Sequence, residues 1–109
     1  MGTLDITNGT RYHGALIASF KDADTQMLWE TGKSRTIPAN LRVTALKKLR
    51  ILHRVIRLDE LKIPPGNRLE ALSGDREGQH SIRVNDQFRL CFAWREGRAY
   101  DVEIVDYHG

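Results

Sequence analysis

A carboxylate, a phenol and an imidazole follow one another at Asp106, Tyr107 and His108, directly after a strand-like apolar run. Imidazole is the side chain that most easily gives and takes protons near neutral pH. Proton transfer by a positioned side chain is a common means of catalysis, and a neighbouring carboxylate can hold the imidazole in one tautomer. These three residues are therefore candidates for acid–base chemistry.

Arginine side chains occupy neighbouring strand-like segments at positions that should share one face. Side chains alternate between the two faces of a strand, so we predict Arg83 and Arg89 on the same open face as Tyr107. Arg68 and Glu70 share a parity on the preceding segment and are assigned to this face too. Two arginines on adjacent strands can hold one phosphate. With an acid and a base, such a clamp is what cleavage of RNA by its own 2′-hydroxyl requires; the alternative is an ordinary solvated sheet face.

The elements that must position these side chains follow from the spacing of apolar residues. Between residues 38 and about 58 the apolar positions recur every three or four residues, which predicts an amphipathic helix. Residues 22–30 predict a shorter helix that Asp22 can cap and Gly32 can end. From Arg68 the apolar period becomes two, and short turns separate the runs, so we predict an antiparallel meander.

The predicted fold is a two-layer α+β domain in which the helices cover one face of the small sheet. Candidate strands span about 68–72, 80–84, 88–94 and 100–107, with an earlier short one at 15–20. The buried face is predicted to carry Ile82, Val84, Phe88, Leu90, Phe92, Trp94, Tyr100, Val102 and Ile104. Residues 1–14 lack any periodicity and are predicted to be a flexible extension, which leaves one domain at 15–109.

Composition limits the class of protein. A chain of 109 residues suits one domain with one core. No apolar run approaches the roughly 20 residues that span a bilayer, and no signal pattern opens the sequence, so we expect a cytoplasmic protein with no membrane association. The single cysteine, Cys91, excludes an internal disulfide and a cysteine-based zinc cage.

Positive charge is concentrated in one part of the chain. Residues 33–68 contain ten Lys and Arg but two acids, whereas residues from 69 onward contain five Arg and eight acids. Most of the basic block falls in the long predicted helix and includes Lys47, Lys48, Arg50 and Arg54. Such a surface attracts nucleic acid and acidic protein equally well, and a solvated helix face remains the plain alternative.

Four stretches of the sequence resemble one known family. They are PPGNRLE at 64–70, GDREGQHSIRVND at 74–86, FRLCF at 88–92 and VEIVDYH at 102–108. Ser19-Phe20 also looks like the family's opening strand. Together they resemble HigB-type toxins of the RelE/ParE superfamily, over about Leu16 to His108.

The resemblance implies a RelE-like fold, with helices packed on a small antiparallel sheet, and a toxin of a type II toxin–antitoxin pair. Such toxins are metal-independent endoribonucleases that enter the ribosomal A site and cut the mRNA there, which stops translation and growth. No metal or organic cofactor is expected. The implied partners are the ribosome, including 16S rRNA and A-site mRNA, and a HigA-type helix-turn-helix antitoxin that would connect the toxin indirectly to operator DNA.

The same resemblance assigns roles to residues of this chain. The terminal motif carries over to Asp106, Tyr107 and His108, and the arginine of the FRLCF stretch to Arg89. Some HigB enzymes have a histidine where this chain has Glu70, so the general base is either Glu70 or His108. The full catalytic set is predicted to be Glu70, Arg83, Arg89, Asp106, Tyr107 and His108. Contacts to RNA or ribosome are assigned to Lys47, Lys48, Arg50, Arg54, Arg68 and Arg76.

Two other functions remain open at this point. The superfamily also contains toxins that bind DNA gyrase and cut no RNA, in which case the open face would be a binding surface. A weakly active corepressor of its own operon is the third interpretation, because Glu70 departs from the histidine of some relatives.

Overall fold

The computed structural model describes residues 16–107, so the predicted extension at 1–14 lies outside the described residues. Two α-helices precede the sheet, α1 at Ala23–Thr31 and α2 at Ala39–Arg54. Four strands follow: β1 at Glu70–Ala71, β2 at Gln79–Arg83, β3 at Phe88–Arg95 and β4 at Arg98–Asp106. Short 3-10 turns lie at Leu58–Lys62, Pro65–Asn67 and Gly74–Arg76.

The sheet has the strand order β1-β2-β3-β4, and every neighbouring pair is antiparallel. The helices pack on one face of it and form a hydrophobic core with the strands. The predicted two-layer α+β fold with an antiparallel meander is therefore confirmed. Neither helix within residues 16–107 is long and apolar enough to cross a membrane.

Helix α1 begins and ends where the sequence predicts. The Asp22 carboxylate accepts a hydrogen bond from the Thr25 amide at 3.0 Å, which caps the helix. Gly32 adopts a left-handed backbone with φ of 80°, and its amide bonds the Leu28 carbonyl at 2.9 Å. Glycine carries no Cβ to oppose this conformation, so it stops the helix here.

Helix α2 is shorter than the prediction of a helix to about residue 58. It buries Ala45, Leu49 and Leu52 against the sheet, as the apolar stripe predicts, but Val55 takes an extended backbone after Arg54. The Glu60 carboxylate accepts hydrogen bonds from the backbone amides of Ile56 and Arg57 at 3.0 and 2.8 Å. These bonds stabilise the start of a separate 3-10 turn. This side-chain capping competes with helix continuation, and the apolar spacing alone does not reveal it.

Most of the predicted buried face is confirmed, with one exception on β4. Ile82, Leu90, Phe92 and Val102 are fully buried. The prediction for Tyr100 was wrong: Ala99 enters the core in its place, and Arg95 lies 4.0 Å above the Tyr100 ring. The register shifts by one residue between β3 and β4, next to Asp101 with φ of 52°, and a bulge of this kind exchanges the two faces.

The first and second predicted strands are reduced. Residues 15–20 form no strand in the described part of the chain; Ile17 and Phe20 make isolated parallel bridges to Ala99 and Val102. The predicted strand at 68–72 contracts to Glu70–Ala71, because Arg68 adopts a left-handed backbone with φ of 48° that ends the preceding turn. Arg68 is therefore a loop residue at the edge of the sheet.

The loop before β1 is fastened to the core by Asn67. This side chain is completely buried; its amide nitrogen donates to the carbonyls of Leu61 and Ile63 at 3.1 and 3.3 Å. Its amide oxygen accepts from Lys48 Nζ on α2. One side chain thus joins the helix layer to the loop that precedes β1.

Replacing Asn67 by Ala should destabilise the fold by about 1–3 kcal/mol, because the buried Leu61 carbonyl and the Lys48 ammonium would lose their partner. Denaturant unfolding measures the loss. Asn40→Ala on the exposed surface of α2 is the matched control and should be neutral or slightly stabilising, since alanine favours helix. Equal effects of the two substitutions would contradict the fastening role of Asn67.

A second fastening connects α1 to the loop that leads into α2. Asp24 accepts hydrogen bonds from the Ser34 and Thr36 hydroxyls and from the Arg35 amide. Burial alone would raise the pKa of Asp24, but these hydrogen bonds to the charged form outweigh it and lower the pKa from 3.8 to about 2. The ionised carboxylate is thus favoured by folding.

We expect Asp24→Asn to destabilise the protein by about 1–2 kcal/mol at pH 7, because the charged acceptor is lost. A depressed folded pKa contributes stability that is present above about pH 3.8 and is lost as the pH falls through about 2. Thermal unfolding between pH 7 and 2 should therefore show wild type and variant converging in acid. Asp75→Asn, at an exposed position, is the control. A gap between wild type and D24N that is independent of pH would contradict this account.

Candidate active site

An open groove of about 750 Å³ lies beside the sheet face that points away from the core. It is lined by Gly66, Arg68, Glu70, Arg83, Asn85, Asp86, Arg89 and Tyr107. Four of the six predicted catalytic residues and one predicted RNA-binding residue thus line one cavity. Alternation along β2 and β3 produces this clustering: Ile82 and Leu90 point into the core, and their neighbours point out.

Arg89 is the most firmly held cation of the groove. Its Nε donates to the Ser81 hydroxyl at 2.7 Å, and its Nη2 donates to the carbonyl of Arg68 at 2.5 Å. Glu70 Oε1 lies 3.7 Å from the same Nη2. The Arg89 side chain is only 12% exposed, whereas that of Glu70 is 55% exposed. The guanidinium is therefore fixed at the base of the groove and the carboxylate is accessible from solvent.

Arg83 stands directly opposite Arg89 in the register of β2 and β3. Its Nη2 bonds the carboxylate of Asp86, which is 96% exposed. The hydrogen bond and the charge of Arg83, with a smaller effect of Arg68, lower the pKa of Asp86. Because exposed ion pairs contribute little energy, an incoming phosphate can displace Asp86 from Arg83 at small cost.

A row of side chains across the strands forms the floor beside the groove. Strand pairing aligns Glu70 with Ser81, Ser81 with Cys91, and Cys91 with Glu103. The Cys91 thiol is buried, and burial raises its pKa. A thiol that keeps its proton is a poor nucleophile, so Cys91 packs rather than reacts.

Arg76 and Tyr107 lie at the β4 side of this floor. Arg76 Nη1 donates to Glu103 at 2.8 Å and to Gln79 at 3.0 Å, and its pKa is raised by the bond to Glu103. Burial, followed by the proximity of Cys91, raises the pKa of Tyr107. The phenol therefore keeps its proton at neutral pH and can donate it in a hydrogen bond. Arg76 is engaged within the protein, and its assignment to RNA binding stays a prediction.

Of the remaining residues of the terminal motif, the structure describes Asp106, which does not line the groove. Asp106 pairs with Phe88 in the sheet and accepts a hydrogen bond from Gln87 at 3.0 Å. Alternation places it on the opposite face from Tyr107, and the cavity lining includes Tyr107 without Asp106. His108 lies outside the described residues, so its role and that of Asp106 stay predictions.

The predicted ribosome-binding residues of α2 fall into two environments. Lys47, Arg50 and Arg54 are exposed on the helix, outside the groove. Lys48 is half-buried and bonds Asn67; burial, then the charges of Lys47 and Arg83, lower its pKa. Lys48 does not line the groove, but its charge lies close enough to Arg83 for the two to interact.

Within residues 16–107, no group of three or more His, Cys, Asp and Glu side chains is arranged to hold a metal ion. Two contributors were missed by sequence reasoning: the Ser81 hydroxyl and the Arg68 carbonyl, both of which hold Arg89. Ser81 is two residues before Arg83 on β2, so alternation along the strand could have placed its side chain on the same face. No feature of the sequence indicated the role of the Arg68 carbonyl, because its direction depends on the left-handed backbone at Arg68.

Comparison with known proteins agrees with this architecture. Residues 18–108 match the family model of the RelE-like toxin HigB of type II toxin–antitoxin systems. Toxin HigB-1 of Vibrio cholerae serotype O1 is 43% identical over 86 residues, which cover 78% of this chain and 90% of that toxin. Endoribonuclease HigB of Proteus vulgaris is 32% identical over 93 residues, or 85% of this chain and 100% of that enzyme. The match spans both helices, the four strands and the groove, and the chain belongs to the family of RelE-like HigB toxins of type II toxin–antitoxin systems.

Proposed function

We propose that this chain is an endoribonuclease toxin that cuts mRNA in the ribosomal A site through attack of the 2′-hydroxyl, and that a HigA-type antitoxin neutralises it. The observation that supports this function most directly is the groove in which the fixed guanidinium of Arg89 lies beside Arg83, Arg68 and the accessible carboxylate of Glu70. One relative carries the name endoribonuclease, which supports the same activity here.

The first requirement of the reaction is a phosphate held against the sheet. Arg83 and Arg89 face each other across β2 and β3 and can donate to two oxygens of one phosphodiester. Arg68 lines the same cavity and adds a third cation. These donors stabilise the extra negative charge that develops on the phosphoryl oxygens in the transition state.

The second requirement is transfer of two protons. Glu70, or else His108, takes the proton of the 2′-hydroxyl as its oxygen bonds to phosphorus. The bond from phosphorus to the 5′-oxygen breaks, and His108 supplies the proton that this oxygen needs. The products are a 2′,3′-cyclic phosphate and a free 5′-hydroxyl. In this scheme Asp106 holds the imidazole tautomer.

Tyr107 contributes a protonated phenol and an aromatic face at the groove wall. The phenol donates a hydrogen bond, and the ring stacks on a base next to the scissile phosphate. Base–aromatic stacking contributes about 1–3 kcal/mol per base. Tyr107 thereby orients the nucleotide for in-line attack.

The basic surface of α2 serves the encounter with the ribosome. Three exposed residues of this helix lie outside the groove: Lys47, Arg50 and Arg54. In this proposal they contact the phosphates of 16S rRNA. Contacts to phosphate release counterions, so association should weaken steeply with salt. Membership of a type II family implies an antitoxin partner. We propose a helix-turn-helix HigA-type protein that also brings the complex to operator DNA.

Arg89→Ala should lower the rate of mRNA cleavage by about 10²–10³-fold, the usual cost of losing one transition-state donor. Primer extension on mRNA from a reconstituted translation reaction measures the cuts. Arg98→Ala is the matched control, because Arg98 is exposed at the start of β4 and does not line the groove. Growth arrest with intact mRNA and failing DNA topology would instead support the gyrase-binding alternative.

The identity of the general base can be decided from pH profiles of cleavage. Glu70→Gln and His108→Ala should each reduce the rate, by about 10²–10⁴-fold if the residue transfers a proton. Loss of a base removes the rise of the rate with pH, whereas loss of an acid removes the fall at higher pH. We expect Glu70→Gln to lose the rise and His108→Ala to lose the fall. Glu77→Gln, exposed and outside the groove, should keep both limbs.

A further inference from the structure

Ser81 lies at the centre of β2 beneath the groove, with a side chain that is completely buried. We propose that Ser81 is a positioning residue for RNA cleavage: its hydroxyl sets the orientation of the Arg89 guanidinium before the phosphate arrives. The inference rests on the proposed function and assigns a role to a residue that does not line the groove.

The contacts of Arg89 define this role. Nε donates to the Ser81 hydroxyl at 2.7 Å, and Nη2 lies 3.4 Å from the Ser81 carbonyl and 2.5 Å from the Arg68 carbonyl. One edge of the guanidinium is thereby bound to β2 and to the loop before β1. These contacts occupy Nε and Nη2 and leave Nη1 as the donor for a phosphoryl oxygen. Rotation of the guanidinium would break all three contacts at once.

The Ser81 hydroxyl has no hydrogen bond within residues 16–107 other than the one to Arg89. A buried hydroxyl costs free energy unless it is hydrogen-bonded, so a residue that served packing alone would be better as alanine. Strand pairing places Ser81 between Glu70 and Cys91, and neither side chain bonds its hydroxyl. The hydroxyl oxygen of Ser81 is therefore explained by its role as the acceptor of the Arg89 Nε–H.

The physical benefit is a donor that is already oriented. Arginine has considerable rotamer entropy, and a guanidinium that had to be ordered during the reaction would stabilise the transition state less. Hydrogen bonds to charged groups contribute about 1.5–3 kcal/mol, which corresponds to about a 10- to 100-fold change in rate. The effect should fall on kcat more than on KM, because orientation matters most where charge develops.

The first test compares the steady-state kcat and KM of mRNA cleavage on programmed ribosomes for wild type, Ser81→Ala and Ser34→Ala. Ser34 is also buried and hydrogen-bonded, but it lies in the loop between α1 and α2 and away from the groove. We expect S81A to lose about 10- to 100-fold in kcat with KM little changed, and S34A to lose stability without losing kcat. Wild-type kcat in S81A would overturn the inference, provided that Arg89→Ala is inactive in the same assay.

A double-mutant comparison separates positioning from a general structural effect. In an Arg89→Lys background there is no Nε–H for Ser81 to hold, so Ser81→Ala should cause no further loss of rate. An equal fold-loss in both backgrounds would show that Ser81 acts independently of Arg89 and would overturn the proposal.

A measurement without RNA keeps the test independent of activity. The Nε–H resonance of Arg89 in ¹⁵N-labelled protein should exchange with solvent at least about tenfold faster in S81A than in wild type, because its acceptor is gone. Unchanged exchange would overturn the positioning role even if the rate falls. If the Nε–H exchanges faster in S81A but the wild-type protein does not cut ribosomal mRNA, the positioning of Arg89 stands and only the proposed function fails.

Discussion

The site depends on the hydrogen bonds that hold the guanidinium of Arg89. It spans the sheet and the loop before β1, since it bonds the hydroxyl of Ser81 on one side and the carbonyl of Arg68 on the other. The Arg68 carbonyl is available because Arg68 ends its turn in a left-handed backbone. A cation can remain mostly buried here because its Nε and Nη2 groups are hydrogen-bonded and Glu70 lies nearby.

The same arrangement explains how several positive charges coexist at one surface. Asp86 pairs with Arg83, Glu70 lies near Arg89, and Glu103 bonds Arg76, so each of these three arginines has a carboxylate neighbour. The pairs differ in exposure: the bond between Arg76 and Glu103 is largely buried, and Asp86 is almost fully exposed. Buried pairs are expensive to break and exposed ones are not. The protein therefore has one structural ion pair beside the site and one exchangeable pair where a phosphate would bind.

Stability and site geometry are joined through Asn67. Its amide fastens the loop before β1 to Lys48 of α2 and to the carbonyls of Leu61 and Ile63. Because Arg68 follows directly, the position of the carbonyl that holds Arg89 depends on this fastening. Helix α2 and the groove are thus connected in steps. Lys48 bonds the Asn67 side chain, and Asn67 is followed in the chain by Arg68. The Arg68 carbonyl accepts from Arg89, which also bonds Ser81.

The sequence by itself determined the two-layer α+β class, the apolar stripe of α2, the caps of α1, the family, and the common face of Glu70, Arg83, Arg89 and Tyr107. Those features depend on local period and side-chain alternation, which a linear pattern contains. Only the tertiary structure decided that Ala99 replaces Tyr100 in the core, that β1 shrinks to two residues, and that Ser81 and the Arg68 carbonyl grip Arg89. The physical reason is that a bulge, a left-handed turn and a cross-strand hydrogen bond each depend on where a distant backbone lies, and residue types alone do not specify that position.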